Sequence, residues 1–313
     1  MIAEHETKGV VMVLGQPLAG VCLVIVAGLA WGSMGVVGQY LMQEYRFLPT
    51  DLVAARLVGA GIFLLALDIV QHPERLRSVF KSRSLFGMLT VYGVGLLAIQ
   101  WTFFLAIQTS NAGTAAIMVM MAPVFIVFYY LFSGKRVFPL EWISVVLALV
   151  GVVLIVTKGR WDSLDLASVG ALWGLASAAG GAFCTLYPRR AMRQVGVTTC
   201  IGIGMTIGGL ILCAVYPPWN MNVEWNLATL TGYVYIVLVG TVAAFWCYFK
   251  SMDYISPTAT SVLTAFEPLS AVLLSLWWLN VSITSYEAWG AVLILSTVFL
   301  LGRGSKVDRR KSR

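Results

Sequence analysis

Residues 87–123 read GMLTVYGVGLLAIQWTFFLAIQTSNAGTAAIMVMMAP, and residues 232–268 read GYVYIVLVGTVAAFWCYFKSMDYISPTATSVLTAFEP. At a constant offset of 145 residues, Gly87 falls on Gly232, Gly95 on Gly240, Trp101 on Trp246 and Pro123 on Pro268. Each copy opens with a glycine-spaced apolar run that ends in aromatic residues. It then passes a short connection and enters a second apolar run with a proline near its middle. The matched unit is a pair of helices, and self-similarity at a fixed period marks a duplicated architecture.

Composition gives that duplication its solvent. The 313 residues are 59% hydrophobic and only 11% charged, against about half apolar and about a quarter charged in soluble domains. A bilayer span takes about 20 apolar residues, so the chain accommodates about ten helices with short loops and no extramembrane catalytic domain. The five cysteines, Cys22, Cys184, Cys200, Cys213 and Cys247, lie inside apolar spans without a CxxC pair and read as small packing residues. With His5 and His72 as the whole histidine supply, no metal site is expected. No phosphate-cradling GxxxxGK[ST] or GxGxxG loop occurs, so no nucleotide or other cofactor is expected either.

The duplication extends outward from the matched pairs. Residues 1–16 form a tail, and the first span, about 17–42, carries Gly28 and Gly32, a GxxxG step that lets two helices approach closely in lipid. That step recurs at Gly170 and Gly174, offset by 142, and Trp31 recurs as Trp173. Further spans are expected at about 49–70, 85–107, 112–132, 140–156, 166–187, 200–215, 230–249, 258–279 and 288–301. The expected organisation is thus a cytoplasmic N-terminal tail 1–16, a first five-helix repeat 17–157, a second five-helix repeat 158–303 and a basic tail 304–313.

Charge sets the orientation. When alternate loops are assigned to alternate sides, Arg46, Arg56, Lys158 and Arg160 fall on or near one side and the rest of the 21 basic residues on the other. Short loops rich in Lys and Arg stay in the cytoplasm, so both termini are expected there. The net charge of +7 is then a consequence of topology, with no nucleic-acid partner implied; the basic tail faces anionic lipid headgroups. Five helices per repeat is an odd number, so the second copy enters the membrane from the opposite side. The expected fold class is all-α integral membrane, with ten transmembrane helices as two inverted five-helix repeats, the architecture of many secondary transporters.

The chain resembles the drug/metabolite transporter superfamily in its ten-helix amino-acid and metabolite exporter branch. The residues that carry the resemblance are Trp31-Gly32-Ser33, Leu48-Pro49 followed by Arg56, the run from Ala115-Ala116 to Pro123, and Phe266-Glu267-Pro268. The acidic residue common in that family just after helices 4 and 9 is replaced here by Gly134-Lys135-Arg136 and Leu279-Asn280-Val281. The resemblance implies export of amino acids or related small metabolites across a bacterial-type inner membrane, in particular by likeness to the aromatic amino acid exporters. The competing reading is a passive channel, for which no ring of like groups is visible.

Several side chains are candidates for substrate contact. Glu267 stands near mid-span directly before Pro268, where a carboxylate needs a cavity or a partner, or else bonds the backbone groups that the proline frees. In the first copy its counterpart is Ala122. Trp101 and Trp246, with neighbours Gln100 and Phe245, occupy matched positions, either as interfacial anchors or as a symmetric pair of faces for a solute. Met120 and its neighbours supply either core packing or an adaptable wall. Pro123 and Pro268 are the expected helix breaks. Arg56 and Asp68 stand too far apart on the second span to pair, so each is expected to reach its own interface, Arg56 at the extracellular mouth.

Overall fold

The computed structural model describes residues 2–134, 139–158, 166–255, 259–260 and 263–311. The described residues form helices α1 Ile2–Glu44, α2 Pro49–Gln71, α3 Pro73–Lys81, α4 Arg83–Thr109, α5 Ala112–Val119, α6 Ala122–Phe132, α7 Pro139–Thr157 and α8 Leu166–Leu186. These are followed by α9 Arg189–Val195, α10 Val197–Val215, α11 Leu227–Val237, a π-turn at Leu238–Ala243, α12 Ala244–Ser251, α13 Phe266–Trp278 and α14 Ser285–Lys311. Among the described residues, eight stretches are long and apolar enough to cross a bilayer: Pro17–Glu44, Pro49–Gln71, Arg83–Thr109, Ala112–Phe132, Pro139–Thr157, Val169–Leu186, Val197–Val215 and Leu227–Ser251. The apolar part of α14, Ser285–Leu300, is shorter. The start of the expected helix at 258–279 lies outside the described residues, as do Lys135, Arg136 and Arg160. The protein is a multi-pass, all-helical membrane protein.

Helix ends follow local chemistry. A bilayer offers no water to an orphan backbone group, so a side-chain acceptor at a helix start takes its place, as at three starts here. Asp51 Oδ2 accepts from Leu48 N at 2.8 Å, with Pro49 at the first helical position of α2. Asn226 Oδ1 accepts from Thr229 N at 3.0 Å and starts α11. The start of α5 has two acceptors, since Asn111 Oδ1 takes Thr114 N and Gln39 Oε1, reaching across from α1, takes Ala112 N, both at 2.8 Å. The chain leaves α6 through Gly134 at φ 69° and α13 through Asn280 at φ 50°, left-handed caps at nearly matched positions.

The expected fourth span is two helices. A proline lacks the N–H that would bond the carbonyl four residues earlier, and its ring crowds that carbonyl. For Pro123 that residue is Val119, and α5 ends there; turns at Met120 and Met121 intervene before α6. For Pro268 it is Thr264, and a turn at Thr264 and Ala265 precedes α13. Two connections between the expected spans are also helical. α3 and α9 pack against each other on the basic side, burying Val79 and, on α9, Ala191 and Val195. The N-terminal residues read as a separate tail continue the helical backbone of α1 back to Ile2.

The helices pair by close approach of glycines. α2 packs on α10, α7 on α14, α4 on α8, α1 on α12 and on α13, and α8 on α5 and α6. A Cβ at Gly32 of α1 would collide with the Ser270 side chain and the Glu267 carbonyl of α13. Gly151 of α7 and Gly290 of α14 approach reciprocally, a Cβ on either falling 2.8 or 2.6 Å from the carbonyl oxygen of the other. Lipid supplies no hydrophobic drive between helices, so such contacts supply the packing energy instead.

Candidate functional site

The residue that organises the interior is Arg56. It lies two turns into α2, about 10 Å from the start at 1.5 Å per residue, and only 3% of it is exposed. A charged side chain at this depth costs about 2.5–3.5 kcal/mol on insertion scales, so it must be answered by the protein. Part of the answer comes from the second half of the chain. Arg56 Nε donates to Thr241 Oγ1 at 3.0 Å, and the guanidinium lies over the Phe104 ring, 5.4 Å from its centroid. Its Nη1 is buried with no hydrogen-bond partner.

Thr241 is in place because the backbone widens there. Leu238–Ala243 is a π-turn, and the Thr241 hydroxyl donates to Ile236 O at 2.8 Å, five residues back. Insertions of this kind recur at functional sites because they re-aim a side chain without ending the helix. Met34 of α1 packs directly on Gly240 at the same turn, a contact that a Cβ there would block.

A second charged side chain, Glu267, stands at the start of α13. No ion pair joins it to Arg56 within 4.0 Å. The Glu267 carboxylate is partly buried and has no hydrogen-bond or ion-pair partner among the described residues. Its backbone is held firmly: Glu267 N donates to Thr264 O at 2.9 Å and its carbonyl accepts from Ser270 Oγ at 2.9 Å. Arg56 Nη1 and the Glu267 carboxylate each keep hydrogen-bonding capacity in reserve.

A second polar feature opens on the basic side. A cavity of about 390 Å³ runs between α2, α10 and α12, lined by Leu64, Asp68, Arg75, Trp246, Lys250 and Asp253 among others. Asp68 is 4% exposed, accepts a short hydrogen bond from Thr199 and pairs with Arg75 Nη1 at 3.5 Å. Asp68 lies in the last turn of α2 and is buried there by protein, because α3 and α10 bring partners to it. On the opposite side Lys158 and Glu287 pair at 3.2 Å, joining the end of α7 to the start of α14.

The remaining sequence candidates scatter. Trp101 is 40% and Trp246 47% exposed; Trp246 borders the basic-side cavity, Trp101 does not, and their rings are not in contact. Gln100 is partly buried on α4. Phe245 packs edge-on to Trp31 at 5.3 Å and stacks on Phe249 at 6.0 Å. Met120 sits in the break between α5 and α6 and packs on the core that includes Met118 and Met121. Pro123 and Pro268 stand in the first turns of α6 and α13, as described above. Sequence reasoning missed Thr241 altogether. A signal for it existed, since its counterpart at an offset of 145 is Leu96, so the hydroxyl is a departure from the repeat.

Comparison with known proteins places the chain. The model of the EamA-like transporter family matches it twice, over residues 18–157 and 168–303. An uncharacterized inner membrane transporter of Salmonella typhimurium, YicL, is 34% identical over 303 residues, covering 96% of this chain and 99% of that one. The protein PecM of Dickeya dadantii is 26% identical, covering 85% and 88%. The threonine/homoserine exporter RhtA of Salmonella typhimurium is 24% identical, covering 83% and 82%. A crystal structure of another protein, 18% identical, superposes with a TM-score of 0.60 over 94% of this chain and 99% of that one, a likeness of fold.

Proposed function

We propose, from the premise that this chain belongs to the EamA-like transporter family, that it is a secondary transporter exporting amino acids or related small metabolites across the bacterial inner membrane. The family makes it a transporter and not an enzyme. In this reading it has ten crossings in two inverted repeats, 17–157 and 158–303, both termini in the cytoplasm, and it works by alternating access. The observation that carries the reading is the exchange of partners between halves. Counting crossings in order, the first packs on the ninth and the sixth on the fourth; the third packs on the sixth and the eighth on the first. The second with seventh and the fifth with tenth map onto themselves. A two-fold relation between halves produces this pattern, and the double match of the family model supports it. Amino acids as cargo draw support from the name of one relative, a threonine/homoserine exporter.

In this reading the substrate-facing set comprises Glu267, Gln100, Trp101, Phe245, Trp246 and Met120, with hinge points at Pro123 and Pro268. The test is counterflow in liposomes. Labelled amino acids should accumulate faster into vesicles preloaded with the same unlabelled amino acid, because a carrier returns loaded. Flux that neither saturates nor responds to preloading would establish a passive channel instead. Tags before Met1 and after Arg313 should both react only from the cytoplasmic side. Reaction from opposite sides would break the repeat argument.

A further inference from the structure

We infer that a slot between α13 and α14 is a binding site for one acyl chain of a membrane phospholipid, with the head group at the end where Lys158 pairs with Glu287. The inference rests on the bilayer setting of the chain and is independent of what the protein carries.

The slot exists because two successive helices are drawn apart by their partners. α13 packs on α1 and α5, whereas α14 packs on α7. Between them lies a cavity of about 420 Å³, walled by Val272 and Leu276 of α13 and by Ala291 and Leu295 of α14. Its floor is Ile117 of α5 and Ile155 of α7, 6% and 3% exposed; its lips are Leu269 and Val292, 46% and 55% exposed. The cavity therefore opens on the surface that meets lipid and reaches inward to side chains that do not meet it. An apolar volume of this kind offers water few of the two to four polar partners it needs, and its walls gain dispersion contacts only from an apolar occupant.

The slot is also elongated, with its polar groups at one end. From Pro268 to Leu276 it follows α13 for about 12 Å at 1.5 Å per residue. Asn111 and Thr114, at the start of α5, and Glu287, at the start of α14, supply the polar lining. Glu287 is 8% exposed; its Oε2 accepts from Thr284 N and Oγ1, both at 2.9 Å, and its Oε1 pairs with Lys158 Nζ at 3.2 Å. An ammonium has three donors, so Lys158 can hold Glu287 and a phosphate oxygen together. An apolar body with a cationic rim is the outline of one lipid chain and the phosphate above it. The far end of such a chain lies against Pro268, at the turn from which α13 starts, so the lipid forms part of the wall around the second helix break.

The test places the full-length protein in liposomes of phosphatidylethanolamine and phosphatidylglycerol that contain a phospholipid with a photoreactive diazirine near the middle of one acyl chain. After illumination, peptide mass spectrometry locates the adducts. They should appear at Ile155 and Ile117, which bulk lipid does not reach, as well as at the lipid-facing Leu149 and Leu172. Ala291→Phe, which fills the slot, should lower the Ile155 adduct at least about tenfold and leave Leu172 unchanged. Should that variant fold poorly, the adduct pattern of the unaltered protein still decides. A diacylglycerol with the same photoreactive chain should label Ile155 about threefold less than the phospholipid, the scale of a partly exposed ion pair, and Lys158→Gln should erase that difference. Equal labelling by the two lipids in the unaltered protein would overturn the head-group contact. Adducts confined to Leu149 and Leu172 would overturn the site and give the slot to another occupant, such as a helix of a second copy.

Discussion

The break at Met120–Met121 and the break at Thr264–Ala265 come from the same backbone arithmetic and carry different chemistry. Each lies about one turn before a proline, and each follows from the carbonyl that the proline cannot bond. Beside the first break the residue before proline is Ala122, packed near Gly181; beside the second it is Glu267. The preceding spans differ in the same sense, with Leu96 buried in α4 where the second half has Thr241 on a π-turn. The family model matches both halves, while these polar side chains occur in one of them only.

Substitutions at matched positions sharpen that contrast. The largest effect is expected at the matched glycines 32 and 174. A valine at Gly32 meets backbone and the short Ser270 side chain of α13, whereas at Gly174 the neighbour is the side chain of Met118. Gly32→Val should cost about 3 kcal/mol in thermal or denaturant unfolding in detergent, the upper range for overpacking. Gly174→Val should cost a comparable amount, because the atom it meets first, Met118 Cβ at 2.5 Å, is fixed to the backbone of α5. A clearly smaller cost there would show that α5 gives way where α13 does not.

Next comes the carboxylate. Glu267→Gln should slow amino-acid counterflow by about tenfold to a hundredfold, the equivalent of about 1.5–3 kcal/mol for a charged hydrogen bond, while Ala122→Ser stays within about twofold. If Glu267 also carries a proton through the cycle, the glutamine variant will lose the pH dependence of counterflow. A preserved pH profile with normal protein yield would remove that role and keep the substrate contact. Thr241→Val should lower stability by about 1–2 kcal/mol, because Arg56 Nε is then buried without its acceptor. Leu96→Val, at the matched position, exposes no donor and should leave substrate binding unchanged. Smallest of all, Trp246→Ala should weaken binding of an aromatic amino acid by the several-fold equivalent of about 0.5–1.5 kcal/mol. Trp101→Ala should weaken it by no more than that; unchanged affinity with altered insertion would leave Trp101 an interfacial anchor and the pair asymmetric.

The duplication, the spans and both breaks are legible in the sequence because a bilayer allows so few alternatives for backbone polar groups. Glu267 is legible for a related reason, being the acid deep in its span beside a proline. Arg56 is visible in the sequence, yet its charge alone assigns it to the mouth of the molecule. Its burial depends on how α2 seats against the π-turn, and the run Leu238–Ala243 reads as ordinary apolar helix until Met34 is packed against Gly240. For Trp101 and Trp246 the sequence leaves two readings open, interfacial anchors or a symmetric pair of faces for a solute. Their offset matches, but an offset says nothing of which face of a helix a ring occupies, and both rings lie substantially exposed. The burial of Asp68 is not legible in the sequence because its partners, Thr199 and Arg75, come from a distant helix and from α3, a helix hidden in an apparent loop.

The anchoring of Asp68 has a mechanical consequence. Its end of α2 is tethered through Thr199 and Arg75, whereas near the other end Asp51 Oδ1 is buried without a partner. Arg56 rides on the same helix about 18 Å from that tether at 1.5 Å per residue. A tilt of about 5° about Asp68 would sweep the guanidinium through about 1.5 Å, taking a hydrogen bond from about 3 Å to beyond its useful range. Small angular play at the tether would thereby be amplified into making or breaking a buried bond, with no helix needing to bend.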